Sequence, residues 1–501
     1  MTSSIIPRRV LYKPDDGYFG DANPIYADGR YHIFYIFCAS DDVDQLNGVW
    51  RGLDWAHIVT DDFATFEELP MALYRGRPEE RDPLAGAGCV VQRGPDDYVM
   101  FYGGINPDPP PGRPEQVVLR AVSSDLVTWT KDPKWEIRTT PEHYLPDCFR
   151  DPFVWQDADS GEWRMIFAGQ VPLTSGPEHR RGAVGYATSS DLETWEFHPP
   201  LFNPGTTLTP ECPEYFTHNG RHYLVYSSYS ERFATRYRVA DQFGGPWQIP
   251  EHDAFDSNDV YAAKTVTDGQ RRFYVGWLAT RGMDRDLGHR QWGGHLVAHE
   301  LTSRADGTWA TSPVPEFLRR FETQDVRPCP RIGEWDLDST SASFDGPGFG
   351  WCSLGRLDDT CLLDVTIDAG YTAEEVGIGL RTSSDFQKAL LIRLEPQHGR
   401  VVFDRRPHKI VIPFDPDGDR EYVSAADFEI ERPLRIDESG RVRIQVVLDG
   451  SSIVAYINDV ALSTRGYGQP AGEWGIYAAG VHTPVTFRDF RFGVARSRLG
   501  V

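Results

Sequence analysis

Gly-Arg-Tyr-His-Ile-Phe-Tyr (29–35), Asp-Asp-Tyr-Val-Met-Phe-Tyr (96–102), Gly-Glu-Trp-Arg-Met-Ile-Phe (161–167), Gly-Arg-His-Tyr-Leu-Val-Tyr (220–226) and Arg-Arg-Phe-Tyr-Val-Gly-Trp (271–277) are five copies of one phrase: a polar turn, then an apolar and aromatic strand. Their ends lie 67, 65, 59 and 51 residues apart. A short apolar run precedes each copy: Pro24-Ile25-Tyr26, Cys89-Val90-Val91, Pro152-Phe153-Val154-Trp155, Tyr215-Phe216 and Ala263-Lys264-Thr265-Val266. Further strand-like runs follow, such as Trp55-Ala56-His57-Ile58-Val59. Three copies then lead to an aspartate turn closed by an aromatic, with Asp62 and Phe66, Asp125 and Trp129, and Asp191 and Trp195. Aspartate opens such turns because its carboxylate accepts backbone N–H bonds two residues on, and the closing aromatic is expected to pack the outermost strand. Three or four strands repeated five times read as an all-β, five-bladed β-propeller. Solenoid repeats are shorter and more even. Helical periodicity is nearly absent, and 47 glycines and 37 prolines oppose long helices.

The pattern stops near residue 320. The expected organisation is a propeller over 1–320, a proline-bearing linker over 321–333 and a C-terminal β-sandwich over 334–501, where short alternating strands resume without the repeat at 442–448, 452–457, 474–479 and 485–492. Two domains also suit a chain of 501 residues. Apolar residues at 40% and charged residues at 25% describe a globular protein rather than a disordered one. No stretch approaches the ~20 apolar residues of a membrane span. Residues 1–14 carry Arg8 and Arg9 with no apolar run behind them, so no secretory signal is read and the expected location is cytoplasmic.

Acidic residues outnumber basic ones, 74 to 51, for a formal charge of −23. Such a surface repels phosphate backbones, which argues against a nucleic-acid partner and for an uncharged small-molecule substrate. The charge also serves plain solubility. Neither a membrane partner nor an oligomeric state is read from the chain. Seven cysteines without a C-x-x-C pair suit reduced, buried thiols. Aromatics reach 13%, with 14 tryptophans; stacked sheets and sugar-binding clefts both use them.

The innermost strand of each propeller blade lines the central channel, so residues at its mouth converge from distant parts of the chain. An acid stands just before that strand in three repeats: Asp21, Asp151 and Glu211. Asp259 is one or two residues out of register in the fifth. Three carboxylates on one rim cannot all ionise freely, so one is expected to stay protonated while another stays anionic. Glycoside hydrolysis needs that division: one group protonates the leaving oxygen, and the other attacks the anomeric carbon or activates water. Acids beside proline in tight turns also serve as backbone caps; three at corresponding places in a repeat argue for a shared site. The histidine pairs His218/His222 and His295/His299 are too far apart on strands to share a metal. Gly103-Gly104 reads as a bend, and no nucleotide or serine-hydrolase motif occurs. Neither metal nor cofactor is expected.

Phe149-Arg150-Asp151-Pro152 and Glu211-Cys212-Pro213 resemble the R-D-P and E-C signatures of glycoside hydrolase family 32, the invertase, levanase and inulinase family. Trp55-Ala56-His57 with Pro70-Met71-Ala72-Leu73 resembles its W-G-H segment and the P-x-A-L that follows. The run Ser452-Ile453-Val454-Ala455-Tyr456-Ile457-Asn458 is similar to one of its sandwich strands. The resemblance implies a five-bladed propeller with a β-sandwich and a retaining mechanism. It implies Asp21 as nucleophile, Glu211 as general acid/base and Asp151 as the group that binds sugar hydroxyls and steadies the transition state. Retention implies carboxyls about 5–5.5 Å apart. The substrate-binding candidates are Asn23, Trp55, His57, Arg150, Tyr261 and Trp292.

The family's W-M-N-D-P-N-G is here Tyr18-Phe19-Gly20-Asp21-Ala22-Asn23-Pro24, and its F-S-G-S segment is Ala85-Gly86-Ala87-Gly88-Cys89. These departures imply a sugar pocket unlike that of a simple invertase. Glu214, three residues beyond Glu211, is expected to face away. The reading is a retaining glycosidase, or a fructosyl-transferring enzyme, acting on short fructofuranosides or difructose-type sugars. Two alternatives stay open: an inverting, family 43-like arabinofuranosidase, and a carbohydrate-binding protein without catalysis.

Overall fold

The computed structural model describes residues 9–44, 49–139, 142–286, 288–369, 373–405, 428–467 and 472–496. Of the N-terminal stretch read for a signal, 1–8 lies outside the described residues. Among the described residues no helix is long and apolar enough to cross a membrane. The chain forms two compact units: Tyr12–Thr280 with Gln291–Ala310, and Thr311–Val501 with Arg281–Arg290 and the stretch up to Leu11.

The first unit is a five-bladed β-propeller. Each repeated phrase is the second strand of a blade and pairs antiparallel with an inner strand before it. The inner strands are Gly17–Ala27, Leu84–Gly94, Phe149–Gln156, Glu211–His218 and Val260–Thr267. Blades one to three have four strands in sequence order, and the fourth has three, with isolated bridges in place of an outer strand. Blades five and one join through the pair Phe19↔Gly294.

All five inner strands carry a β-bulge at the same place. Pairing runs Phe19↔Phe37 then Ala22↔Tyr35 in blade one, and Ala85↔Gly104 then Gly88↔Tyr102 in blade two. It runs Arg150↔Ala168 then Phe153↔Ile166, Glu211↔Ser227 then Glu214↔Val225, and Tyr261↔Trp277 then Lys264↔Val275 in the others. One extra residue per inner strand bends it and re-aims its side chains. The first bulged residue is left-handed in blades three to five: Asp151 at φ 56°, Cys212 at 47° and Ala262 at 46°.

This register corrects two expectations. The acids do not precede the strands; they lie within them, because the strands begin earlier than the apolar runs suggest. Nor do the acids occupy equivalent positions. Glu211 is the last paired residue before its bulge, Asp151 the first bulged residue and Asp21 the second.

The aspartate turns form as expected, each carboxylate accepting two backbone N–H bonds: Asp62 from Ala64 and Thr65, Asp125 from Val127 and Thr128, Asp191 from Glu193 and Thr194. Two of their closing aromatics reach the preceding blade, while Phe66 packs on Tyr12 at 5.4 Å. Trp129 meets Phe34 edge-on at 5.6 Å, and Trp195 meets Phe101 at 6.3 Å. The apolar side chains between blades thus supply the core, with Phe101, Val118, Trp135, Phe149, Met165 and Leu192 in one continuous cluster.

In the second unit the strands make a β-sandwich. The regions expected as separate strands at 474–479 and 485–492 are one strand, Glu473–Ala495, which pairs with Ala373–Thr382 along its first half and Thr360–Asp368 along its second. The expected linker 321–333 contains strands Phe321–Asp325 and Cys329–Ile332. Both are edge strands with one partner, where proline is tolerated. All seven cysteines are free thiols, and six are buried.

Gly88 follows the blade-two bulge, and a Cβ there would run into the Phe101 carbonyl of the neighbouring strand. Gly88→Ala should therefore destabilise by roughly 1–3 kcal/mol through overpacking. Gly94→Ala, whose Cβ would meet only Asp97 at ordinary contact distance, should stay within about 0.5 kcal/mol. Urea denaturation of both variants checks this.

Candidate active site

The bulges bring Asp21, Asp151 and Glu211 to one rim of the propeller, and each carboxylate has a different set of partners. Asp21 Oδ1 accepts two indole N–H bonds, from Trp277 at 2.8 Å and Trp292 at 3.2 Å. Among the described residues its Oδ2 has no hydrogen-bond partner. The bulge supplies the room for this: at Gly20 a Cβ would collide with the Trp292 indole. Trp277 is fully buried, and Trp292 is half-buried and packs edge-on against Trp50 at 4.9 Å.

Glu211 is held at both oxygens. Arg150 Nη2 donates to Oε1 at 2.7 Å, and the Tyr261 hydroxyl donates to Oε2 at 2.7 Å. Arg150 is itself steadied by Gln116 Oε1 at 3.3 Å, which also accepts the Phe149 N–H at 3.0 Å. Tyr261 stacks on Phe233 at 4.3 Å. Burial and the Glu211 carboxylate push its phenol well above the ordinary range, so it remains a donor. Asp151 is buried and accepts the Cys212 N–H through Oδ2 at 3.0 Å, tying blade three to blade four. Its Oδ1 has no partner among the described residues.

Burial and neighbouring charge both act on Asp21. Burial and then the Asp151 charge raise its carboxyl to about 7; Trp277 lowers it, Glu211 raises it and Lys264 lowers it. The rim thus takes up a proton on Asp21 near neutrality.

Six of the nine candidates, Asp21, Asp151, Glu211, Arg150, Tyr261 and Trp292, share this hydrogen-bonded rim. Three others bond elsewhere through their side chains. Asn23 is buried; its Nδ2 donates to the Asp21 carbonyl at 3.1 Å, and its Oδ1 accepts from the Gly88 N–H and Lys264. Trp55 donates to the Gly86 carbonyl at 2.9 Å. His57 lies on the third strand of blade one, stacked on Phe34 at 4.0 Å and bonded to His32 at 3.1 Å. Burial, then His32, drives it down to about 3, so it is neutral. Glu214 does not face away as expected: Glu211 pairs with Ser227 and Glu214 with Val225, so the extra residue of the bulge puts both on one face, and Glu214, further along the strand, accepts from Thr265 N at 2.7 Å and Oγ1 at 2.6 Å. Burial raises its carboxyl above the ordinary range.

Sequence reading missed Trp277 and Lys264. Trp277 closes the fifth repeated phrase, and its place at the site shows only in the strand pairing: it lies opposite Tyr261, which holds in blade five the position of Glu211 in blade four. Lys264 was hidden within an apolar run.

Sequence comparison places this chain in a family. The profile of the glycosyl hydrolases family 32 N-terminal domain matches residues 12–308, and that of the family 32 C-terminal domain matches 336–491. Sucrose-6-phosphate hydrolase of Escherichia coli is 24% identical over 493 residues, covering 93% of this chain and 90% of its own. Insoluble β-fructofuranosidase isoenzyme 3 of Oryza sativa is 25% identical over 358 residues, 63% of this chain and 58% of its own. Among solved structures, the glycerol complex of Aspergillus kawachii β-fructofuranosidase superposes with a TM-score of 0.72 at 16% identity, covering 99% of this chain and 94% of the other. Exo-inulinase of Aspergillus awamori gives 0.69 at 17% identity, covering 98% and 99%. Both profiles together decide against the family 43-like and non-catalytic alternatives: this chain belongs to glycosyl hydrolase family 32, as a glycosidase of the fructosidase type with a five-bladed propeller and a β-sandwich.

Proposed function

We propose that the protein is a retaining fructosidase of short fructofuranosides, with its catalytic residues confined to the propeller unit. Asp21 is the nucleophile, Glu211 the general acid/base, and Asp151 binds sugar hydroxyls. The arrangement at Asp21 is what supports this most: two indole N–H groups fix one carboxylate oxygen and leave the other without a partner. A nucleophile held in one orientation meets the anomeric carbon at little entropic cost.

In the first step Asp21 Oδ2 forms a bond to the anomeric carbon as the bond to the leaving oxygen breaks. That oxygen takes a proton from Glu211, which in the reactive form carries the rim's proton in place of Asp21. In the second step Glu211 removes a proton from water, the water oxygen bonds to the anomeric carbon, and the ester to Asp21 breaks. Asp151, with its free Oδ1, is suited to a ring hydroxyl and to the positive charge that develops in the transition state. Tyr261 and Arg150 set the orientation of Glu211. The free, mostly buried thiols suit a reducing compartment, so the proposed workplace is the cytoplasm and the proposed substrates are short imported fructosides. Sucrose 6-phosphate, the substrate in the Escherichia coli relative's name, belongs beside sucrose, kestose and difructose anhydrides in the substrate panel.

Asp21→Asn and Glu211→Gln should each lose about 10²–10⁴-fold or more in turnover with the fold intact. NMR of the first-formed product should show retained configuration; inversion, or near wild-type turnover in either variant, contradicts the roles. Asp21 must be charged to attack, and its carboxyl is raised to about 7. The acid limb of kcat/KM should therefore lie near pH 7 and fall about tenfold per pH unit below it. Trp277→Phe removes a hydrogen bond that lowers Asp21, so the limb should move to higher pH.

Stability follows the same group. A carboxyl raised above its unfolded value of about 3.9 supports the fold fully below that value and loses this support as pH rises towards 7. Asp21→Asn removes that loss. Its melting temperature should exceed wild type by little at pH 4, by progressively more up to pH 7, and by a constant margin above.

A further inference from the structure

Three carboxylates on one rim call for positive charge. Arg150 pairs with Glu211, which leaves Asp21 with indoles as its direct partners. The inner strand of blade five carries a second cation. Lys264 is the first paired residue after the bulge, the place held by Ala22, Gly88, Phe153 and Glu214 in the other blades. It is 2% exposed. Its Nζ donates to Asn23 Oδ1 at 2.7 Å and to the Gly88 carbonyl. It therefore reaches from blade five to blades one and two.

Both acceptors are neutral, and among the described residues no carboxylate lies within ion-pair distance of Lys264. A buried ammonium bonded only to neutral groups is costly unless a nearby negative charge offsets it. The same contacts lead to Asp21 in two steps: Lys264 holds Asn23 Oδ1, and Asn23 Nδ2 holds the Asp21 carbonyl at 3.1 Å. Asn23 Oδ1 also accepts the Gly88 N–H at 3.1 Å, so Lys264 and Asn23 close a ring of bonds with the Gly88 peptide groups.

We propose that Lys264 is a positioning residue for Asp21: through Asn23 it fixes the bulge that carries the carboxylate, and through its buried charge it stabilises the carboxylate as an anion. The proposal rests on the reading of Asp21 as nucleophile. Other groups also set the charge of Asp21. Asp151 and Glu211 oppose the anion, Trp277 and Trp292 donate to it, and Arg150 faces Glu211. Lys264 is thus the cation left to favour the charged nucleophile, and the field it exerts on Asp21 has that sign.

Three variants separate charge from hydrogen bonding. Lys264→Gln retains a donor and loses the charge, Lys264→Met loses both, and Lys264→Arg keeps the charge. Asp21 can be followed without substrate by the indole ¹H–¹⁵N signals of Trp277 and Trp292 against pH, with Asp21→Asn as the control in which the titration disappears. The midpoint should move up in Lys264→Gln and Lys264→Met and return towards wild type in Lys264→Arg. The acid limb of kcat/KM should move with it, each unit costing about tenfold in kcat/KM well below the midpoints. KM should change less than kcat. A wild-type indole midpoint in Lys264→Gln overturns the electrostatic role, and a Lys264→Met enzyme with unaltered alkaline kcat overturns the positional one. Should Asp21→Asn remain active while the indole midpoint still moves, the reading of Asp21 as nucleophile fails and the hold of Lys264 on Asp21 stands.

Discussion

Gathering three carboxylates on one rim is the constraint on which this propeller turns. Left to themselves, like charges in a partly dry site neutralise by taking up protons. Here each acid meets that pressure differently. Glu211 is paired with Arg150 and capped by Tyr261. Asp151 accepts a backbone N–H from the next blade. Asp21 has two indole donors and absorbs the remaining stress as a carboxyl raised to about 7. The differences among the three partners, more than the acids themselves, make distinct chemical roles available.

The β-bulges make this distribution possible. A regular strand would send successive side chains to opposite faces, and acids at adjacent register positions could not share a rim. One extra residue in each inner strand breaks the alternation, and the acids use three successive positions around it. Small residues keep these bends packable. Gly20 makes room for Trp292, and Gly88 lets its strand close on Phe101. The glycine that stands at 20 in place of the family's asparagine thus accompanies the close approach of an aromatic ring.

Much of this was legible in the chain. The repeated phrases marked the second strand of every blade, since alternating aromatic strands after a polar turn are a local signal, and the acids beside Ala22, Pro152 and Cys212 were found from the same repeat. The bulges were not legible: an extra residue is defined by what lies opposite it, and the chain alone does not state the register. Hence the acids were expected before the strands rather than inside them. Trp277 was overlooked because a tryptophan ending a blade strand reads as core; only its pairing with Tyr261 turns it to Asp21. Lys264 resembled an ordinary strand residue until Asn23 and the Gly88 carbonyl arrived from two other blades. The linker is legible in part: Pro328 lies in the break at 326–328, whereas Pro330 is accommodated on an edge strand.

The central claim is that Asp21 attacks the sugar directly. The most direct measurement is to incubate Glu211→Ala, in which breakdown of an ester intermediate is slowed, with an aryl β-fructofuranoside that needs little acid assistance. Acid quenching, peptic digestion and mass spectrometry then locate any adduct. One anhydrohexose on the peptide containing Asp21 is the predicted result; an adduct on another residue, or release of the aryl alcohol with inverted sugar and no adduct, would contradict it.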